Sequence, residues 1–289
     1  MFFPSPDSQS RDTGYRMVMV AVSILVLTVG CRSPLRPCAI DAHQLIQCDQ
    51  LVDHQPQIQR GQPRKILDAA GWVVGIPSKL ILWDRRAENH RLGPETEEAI
   101  ARYLESNGLT SVRVRLNQYA PRDDWRRLVA NKSVAAPWRY TLGTVNTLYE
   151  TIVPGRLFGG DHYNPFTNTI HLYSDIPAIA LHEGGHAKDF ARRKWKGTYA
   201  ASYLLPLVPL YHESIASADV FAYLEASGTV DQRREAMRVL YPAYGTYVGS
   251  AVGTFVPRFS DPIYLGSVAV GHFWGRYEAR RLTETISEF

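Results

Sequence analysis

The stretch IALHEGGHAKDF, residues 179–190, carries two histidines four positions apart and a glutamate directly after the first. Successive residues of an α-helix are rotated by about 100°, so His182 and His186 project from one face of a helix. Two imidazoles at this spacing can approach one Zn²⁺ at about 2.0–2.1 Å each. Glu183 is turned away from His182, so it can take a proton from a zinc-bound water without being a ligand. The stretch therefore predicts a zinc-binding helix of the H-E-x-x-H type.

Helix signals flank this stretch on both sides. Ser174 or Asp175 can cap its beginning, and Gly197 can end it. Two other interpretations stay open. One is a helix whose histidines only form hydrogen bonds, and the other is a zinc site without hydrolytic activity.

Length and composition narrow the possible classes of protein. The chain has 289 residues, which allows one large or two small domains with a buried core. Its net charge of +4 comes without a long basic run, so nucleic-acid binding has no support. The cysteines are Cys31, Cys38 and Cys48, which excludes a cysteine-based zinc site or nucleophile in the rest of the chain.

The N-terminus has the anatomy of a signal peptide. Residues 16–31 read RMVMVAVSILVLTVGC, in which an arginine precedes an uncharged apolar core too short for an ordinary membrane span. An uncleaved N-terminal anchor is the alternative. The ending TVGC resembles a bacterial lipobox, and this resemblance implies a signal peptide over 1–30, lipidation of Cys31 and, with Arg32 next, outer-membrane sorting. We expect an exported protein tethered to a membrane on the periplasmic or outer-membrane side.

The segment after Cys31 predicts a tether over residues 31–64. It is rich in proline and glutamine and shows no long apolar period. Cys38 and Cys48 can close a short disulfide loop in an oxidising compartment, or they remain two unpaired thiols.

The middle of the chain alternates strand-like and helix-like segments before the histidine helix. This order predicts an α+β fold with a small mixed sheet, followed by a helical C-terminal part. The segments are an apolar strand-like run at 79–84, a helix at 93–108, an alternating strand at 111–119, a helix at 121–132, a turn-rich stretch at 159–168 and a strand at 168–174.

The motif ALHEGGHAKDF (180–190) resembles the active-site helix of zincin metallopeptidases, and the likeness extends over roughly residues 75–230. The resemblance implies a zincin-like domain over 65–240 that binds Zn²⁺ and hydrolyses peptide or protein substrates. In zincins a strand lies along the cleft and pairs with extended substrate. It therefore implies a substrate strand here, formed by Asn168, Thr169, Ile170 and His171.

The likeness to glutamate-type zincins also implies a third zinc ligand from a downstream helix. Residues 211–226 read YHESIASADVFAYLEA and predict such a helix, on which Glu213 is the expected ligand. His212 and Asp219 remain alternative ligands. The family often has an aspartate four residues after that glutamate, and this chain has Ser217 there, with an aspartate two residues later.

Several polar residues can support the expected site. Asp189 can orient a histidine ligand or form a salt bridge with Arg193. Asp219 can orient His212 or join a buried network. The donor to a reaction oxyanion stays open among four residues. They are Tyr199, Tyr211, His212 and His272.

The C-terminal residues 241–289 predict a glycine-lined helical hairpin. YGTYVGSAVGTF (244–255) and YLGSVAVGHFWG (264–275) both place glycines four residues apart, a spacing that lets helices approach closely. The hairpin packs on the preceding domain or lies against a membrane.

These patterns favour a zinc-dependent metallopeptidase of the cell envelope. Two alternatives come from other classes. One is a non-catalytic lipoprotein of the envelope that binds zinc structurally or mediates assembly. The other is a zinc amidase that acts on non-peptide substrates.

Overall fold

The structure of the chain is a computed structural model that describes residues 55–287. The predictions for residues 1–54, including the signal peptide, Cys31 and the pair Cys38–Cys48, lie outside the described residues. The described part is α+β, as predicted: a four-stranded mixed sheet and mostly helical surroundings, ending in two long helices. In chain order the elements are β1 (Ile58–Arg60), α1 (Lys65–Val74), α2 (Ile76–Leu82), α3 (Pro94–Ser106), β2 (Arg113–Leu116), α4 (Pro121–Ala130), α5 (Ala136–Trp138), α6 (Thr144–Ile152), α7 (Gly155–Phe158), β3 (His162–Asn164), β4 (Thr169–Leu172), α8 (Pro177–Ala191), α9 (Lys196–Ala201), α10 (Val208–Ser227), α11 (Val230–Phe255) and α12 (Ser260–Ser287).

The sheet has the strand order β1-β2-β4-β3. The first three strands in this order are parallel, and β3 pairs with β4 in antiparallel register, with His162 opposite His171. β3 is therefore an edge strand of the described sheet, whereas β4 has a partner on both sides.

One face of the sheet carries the main hydrophobic core. Val114, Leu116, Ile170 and Leu172 are fully buried and belong to the same cluster as apolar residues of α3 and α8. Because side chains alternate along a strand, these four residues share one face. The packing places α8, with its two histidines, directly against the sheet.

The opposite face of the sheet is polar. The fully buried Arg115 forms ion pairs with Asp123 and Asp124 of α4. Arg127 donates to the carbonyl oxygen of Thr167 and to the hydroxyl of Thr169. Removing one partner of a buried ion pair costs about 3–5 kcal/mol, so these contacts hold α4 firmly on the sheet.

Two predictions near the beginning of the domain are wrong. The apolar run at 79–84 is not a strand, because most of it lies in α2, which has Pro77 in its first turn and ends at Trp83 in a left-handed conformation with φ 52°. A short apolar run does not distinguish a strand from a buried helix by periodicity. The predicted tether also extends too far, since β1 pairs with β2 and so belongs to the folded domain.

The helix with the histidine motif forms as predicted, but its beginning differs. α8 starts after Ile176, which caps it without a side-chain hydrogen bond. Asp175 instead accepts a hydrogen bond from the amide of Gly93, at the beginning of α3, at 2.8 Å. Ser174 accepts from the amide of Glu88 at 2.8 Å. Both predicted caps therefore bind a neighbouring segment.

The same helix ends six residues before the predicted glycine. α8 stops at Ala191, and the amides of Arg192 and Arg193 turn back to the carbonyl oxygens of Asp189 and Phe190. Gly197 lies inside α9 instead, where a Cβ would come within 2.5 Å of the Trp138 side chain. Its small size serves packing rather than helix termination.

The predicted C-terminal hairpin is present and longer than its glycine-lined segments. A Cβ on Gly249 would lie 2.6 Å from the Tyr264 backbone, and one on Gly271 would lie 2.5 Å from the Tyr241 carbonyl oxygen. The glycines thus allow α11 and α12 to touch through their backbones. α11 also packs on α8 and α10, and the boundary predicted after residue 240 falls within this continuous helix. Within residues 55–287, no helix has the length and apolar character needed to cross a membrane.

Candidate metal centre

Two glycines of the motif let α8 lie close to its neighbours. A Cβ on Gly184 would meet the Tyr103 ring of α3 at 2.7 Å, and a Cβ on Gly185 would lie 3.0 Å from the Ala216 carbonyl oxygen of α10. The second contact places α10 directly beside the histidine face of α8. A side chain from α10 can therefore reach the histidines, as Glu213 does.

His182, His186 and Glu213 converge on one point. Nε2 of His182 lies 3.1 Å from Nε2 of His186 and 2.9 Å from Oε2 of Glu213. Nε2 of His186 lies 3.3 Å from Oε1 of Glu213. The two rings stand at 88° to each other, and all three residues are largely buried. The structure thus brings together the three residues predicted as zinc ligands.

The donor set of these three residues fits a divalent zinc ion. Around a tetrahedral ion with bonds of about 2.0–2.1 Å, neighbouring ligand atoms lie about 3.3 Å apart. The three separations among the donors are close to that value, so a small outward shift would accommodate the ion. Two imidazoles and one carboxylate leave a fourth position open, as catalytic zinc sites require.

The outer nitrogens of both histidines also have neighbours. Ser217 Oγ lies 3.3 Å from Nδ1 of His182, and Tyr203 Oη lies 3.4 Å from Nδ1 of His186. A histidine that binds metal through Nε2 carries its proton on Nδ1 and donates it to such an oxygen. Ser217 therefore stands where the zincin resemblance leads one to expect an aspartate.

Glu183 is buried next to the first histidine, with 7% of its surface exposed. Burial is the main cause that raises its pKa, and the nearby His186 and His182 partly offset this effect. A carboxylate with a raised pKa binds a proton more readily. Glu183 is therefore suited to accept and release a proton beside the three converging side chains.

The charges of the triad interact strongly. Burial acts to raise the pKa of Glu213, but His186 and His182 outweigh it and hold that pKa well below its ordinary range. Burial disfavours the protonated form of His186, yet Glu213 and Glu183 raise its pKa to about 9. Without an ion, a proton on His186 balances the buried carboxylate. A divalent cation would supply the same compensation.

Two tyrosines that were not predicted border the triad. Tyr203 lies beside His186, and Tyr247, from α11, forms a hydrogen bond with Glu213. The charge of Glu213 is the main cause that raises the pKa of Tyr247, while burial mainly raises that of Tyr203. Both phenols are therefore neutral donors at ordinary pH. The sequence carries no signal that joins them to the motif, because the packing of separate elements brings them together.

The four predicted oxyanion donors occupy other contacts. Tyr199 binds Asp189, and Tyr211 interacts with Arg193. His272 donates from Nε2 to the carbonyl oxygen of Ile81 at 2.7 Å, and it stacks on Trp83. The fourth residue, His212, stacks on Tyr203 with 3.9 Å between ring centroids and has its Nε2 3.2 Å from Ser202 Oγ.

The two predicted supporting aspartates bind elsewhere. Asp189 forms a salt bridge with Arg193, the second of the two predicted roles, and also accepts from Tyr199. Asp219 accepts from Lys188 at 2.6 Å and from the hydroxyl of Tyr103. Asp219 thus joins a buried network that ties α10 to α8 and α3, and it is not the partner of His212.

The prediction of a substrate strand at Asn168, Thr169, Ile170 and His171 is wrong. Thr169, Ile170 and His171 belong to β4, whose residues are all buried and which pairs with β2 on one side and β3 on the other. Asn168 lies in the turn before β4, with a positive φ of 52°. No main-chain edge of β4 is free to receive a peptide. The edge strand beside α8 is β3, which lies inside the stretch predicted as a turn.

Comparisons of the chain with protein-family models, with curated proteins and with solved structures give no match. A functional conclusion therefore rests on the geometry of the site itself. The arrangement provides three convergent metal-type donors, a buried carboxylate beside them and two neutral phenols.

Proposed function

We propose that the protein is a zinc-dependent hydrolase that cleaves peptide bonds. His182, His186 and Glu213 would hold the Zn²⁺, and Glu183 would act as general base and acid. The observation that carries the proposal is the convergence of two Nε2 atoms and a carboxylate within 3.3 Å, next to Glu183. The zincin-like spacing of the motif agrees with it.

The chemistry divides between the ion and the side chains. A bound Zn²⁺ supplies Lewis acidity, which polarises a carbonyl group and lowers the pKa of water. Glu183 takes a proton from the attacking water while the oxygen bonds to the carbonyl carbon of the substrate. When the carbon–nitrogen bond breaks, Glu183 transfers that proton to the departing amine. The products are a carboxylic acid and an amine.

Tyr247 is the proposed donor to the oxyanion that forms at the substrate carbonyl. Its phenol is neutral and adjoins Glu213, and the residue as a whole is 39% exposed. Tyr203 is less exposed and lies beside His186, so its proposed role is to hold that ring in place.

The edge strand β3 is the proposed place for the substrate backbone. It pairs with β4 on one side and contacts α8. An extended peptide added to its other side would form main-chain hydrogen bonds, as in β-augmentation. With the signal-like residues 16–31, we place this activity at the cell envelope, in a lipid-anchored protein.

Glu183→Gln tests the proposal, because it keeps size and removes the base. The full chain is loaded with Zn²⁺ and offered a library of quenched fluorescent peptides and, separately, non-peptide amides. We expect the variant to keep its zinc and to lose peptide hydrolysis by about 10²- to 10⁴-fold. Equal activity of variant and wild type would contradict the role of Glu183. Cleavage confined to the non-peptide amides would contradict the substrate class.

A further inference from the structure

A second group of metal-type side chains lies on the polar face of the sheet. It consists of Glu150 on α6, His162 on β3 and His171 on β4. Each residue offers one ligand atom, and these atoms all lie within 4.8 Å of one another. His162 and His171 are cross-strand partners whose rings stack at 11°, with 4.7 Å between their centroids. Among the described residues, only this group and the triad of α8 and α10 have this geometry.

One ring nitrogen of His171 is buried without a hydrogen-bond partner among the described residues, which indicates a ligand from outside the protein. The residue is 4% exposed, and its buried Nε2 has no hydrogen-bond partner among the described residues. Leaving a buried polar atom unpaired costs about 1–3 kcal/mol. A fold that holds an imidazole in this way has a nitrogen lone pair or N–H group available for binding.

The other two members are held by hydrogen bonds that leave metal-binding atoms facing the group. His162 has its Nδ1 2.8 Å from the carbonyl oxygen of Gly160, which can only accept, so Nδ1 carries a proton. Its Nε2 faces Glu150 at 3.0 Å. Glu150 also accepts hydrogen bonds from the side-chain amides of Asn164 and Asn146. Such outer partners fix the orientation of metal-binding side chains.

We propose that Glu150, His162 and His171 form a second site for a divalent transition-metal ion, with Zn²⁺ as the probe. Two imidazoles and a carboxylate suit zinc and neighbouring metals rather than Mg²⁺ or Ca²⁺, which prefer oxygen ligands. We expect the site to bind more weakly than the α8–α10 triad because Arg115, the cross-strand neighbour of His171, places a positive charge beside it.

The ion at this site would brace the sheet edge. It would join β3 to β4 and to α6, so the strand proposed to receive the substrate backbone would be fixed on its inner side. This role rests on the proposed function. The existence of the site does not, because metal binding is measured without any substrate.

Zinc stoichiometry of the full chain tests the proposal. Wild type, Glu150→Gln and the double variant His182→Ala/His186→Ala are dialysed against buffered Zn²⁺ over a range of free concentrations, and bound metal is counted by elemental analysis. We expect two zinc ions per chain in wild type, the second bound at least about tenfold more weakly. Glu150→Gln should keep only the tight ion, and the double variant should keep only the weak one.

A charge-matched control separates site loss from a general change in charge. Glu97→Gln alters a surface ion pair with Arg60 and should leave both zinc ions in place. Far-UV circular dichroism checks that each variant folds, and if the double variant does not, the comparison of wild type with Glu150→Gln decides. One zinc ion in wild type, or two in Glu150→Gln, overturns the second site. Loss of the tight ion alone in Glu150→Gln also overturns it.

Discussion

The protein contains two clusters of two histidines and one glutamate that differ in the elements carrying them. His182, His186 and Glu213 stand on two packed helices, and their ligand atoms lie within 3.3 Å of one another. The second cluster stands on two strands and a helix, with Nε2 of His162 3.0 Å from Oε1 of Glu150 and 4.7 Å between the stacked rings of His162 and His171. The helix pair is held by glycine contacts and by the Lys188–Asp219 ion pair. The helical frame therefore brings three donors into one tight group, whereas the strand frame leaves Nε2 of His171 without a hydrogen-bond partner among the described residues.

The largest expected effect comes from removing one histidine of each cluster. His186→Ala should abolish tight zinc binding and hydrolysis, because two ligands do not hold a catalytic zinc ion firmly. His171→Ala should leave the tight zinc ion bound and reduce hydrolysis far less. Zinc content and peptide cleavage of both variants, measured side by side, check this. If His186→Ala and His171→Ala lost the same amount of activity, the first cluster could not be called catalytic and the second accessory.

The next effect concerns the tyrosine that α11 brings to the first cluster. Tyr247→Phe removes the proposed oxyanion donor and should lower kcat by about 10²- to 10³-fold, with little change in KM. Zinc affinity should stay near that of wild type. Tyr277→Phe, an exposed tyrosine on α12 that contacts Phe273 and Trp274, is the matched control. An unchanged kcat in Tyr247→Phe would exclude this role.

A smaller effect should follow from removing the neighbours that orient the ligands. Ser217→Ala should weaken the tight zinc site by about 10- to 100-fold, and Asn164→Ala should weaken the second site by a similar factor. Neither change should affect the other cluster. Competition with a chromophoric chelator measures both constants. If Ser217→Ala weakened the second site, or Asn164→Ala weakened the tight site, the two clusters would act as one unit.

The smallest effect on either cluster is expected at Asp189. Its carboxylate binds Arg193 and Tyr199 and does not face the histidine nitrogens. Asp189→Asn should therefore change zinc affinity by less than about twofold, while losing a charged hydrogen bond worth about 1.5–3 kcal/mol of stability. Chelator competition and urea unfolding separate the two quantities. A large fall in zinc affinity would contradict this prediction and would show that Asp189 supports a ligand histidine.

The two clusters also show what sequence can reveal. His182 and His186 share one helix, and the period of a helix is known in advance, so their common direction was predictable. Glu213 followed from the resemblance to zincins and from its place on an apolar helix face. Similar local signals located α3, β2, α4, β4 and α10, each of which has helix-start residues or a clear apolar period.

Other features depend on contacts between distant segments. The pairing of His162 with His171 requires the β3–β4 register, and β3 has only three residues within a turn-rich stretch. Ser217, Tyr203 and Tyr247 reach the triad only because α10, α11 and the loop before α10 pack on α8. The short run in α2 fits a strand and a helix equally well, so only tertiary packing decides its structure.

Diffraction at the zinc absorption edge from crystals of the zinc-loaded protein tests the central claim most directly. We predict a strong anomalous peak about 2.0–2.1 Å from Nε2 of His182, Nε2 of His186 and a carboxylate oxygen of Glu213. No peak at that position in zinc-loaded crystals, or a peak there without coordination by Glu213, would contradict the account.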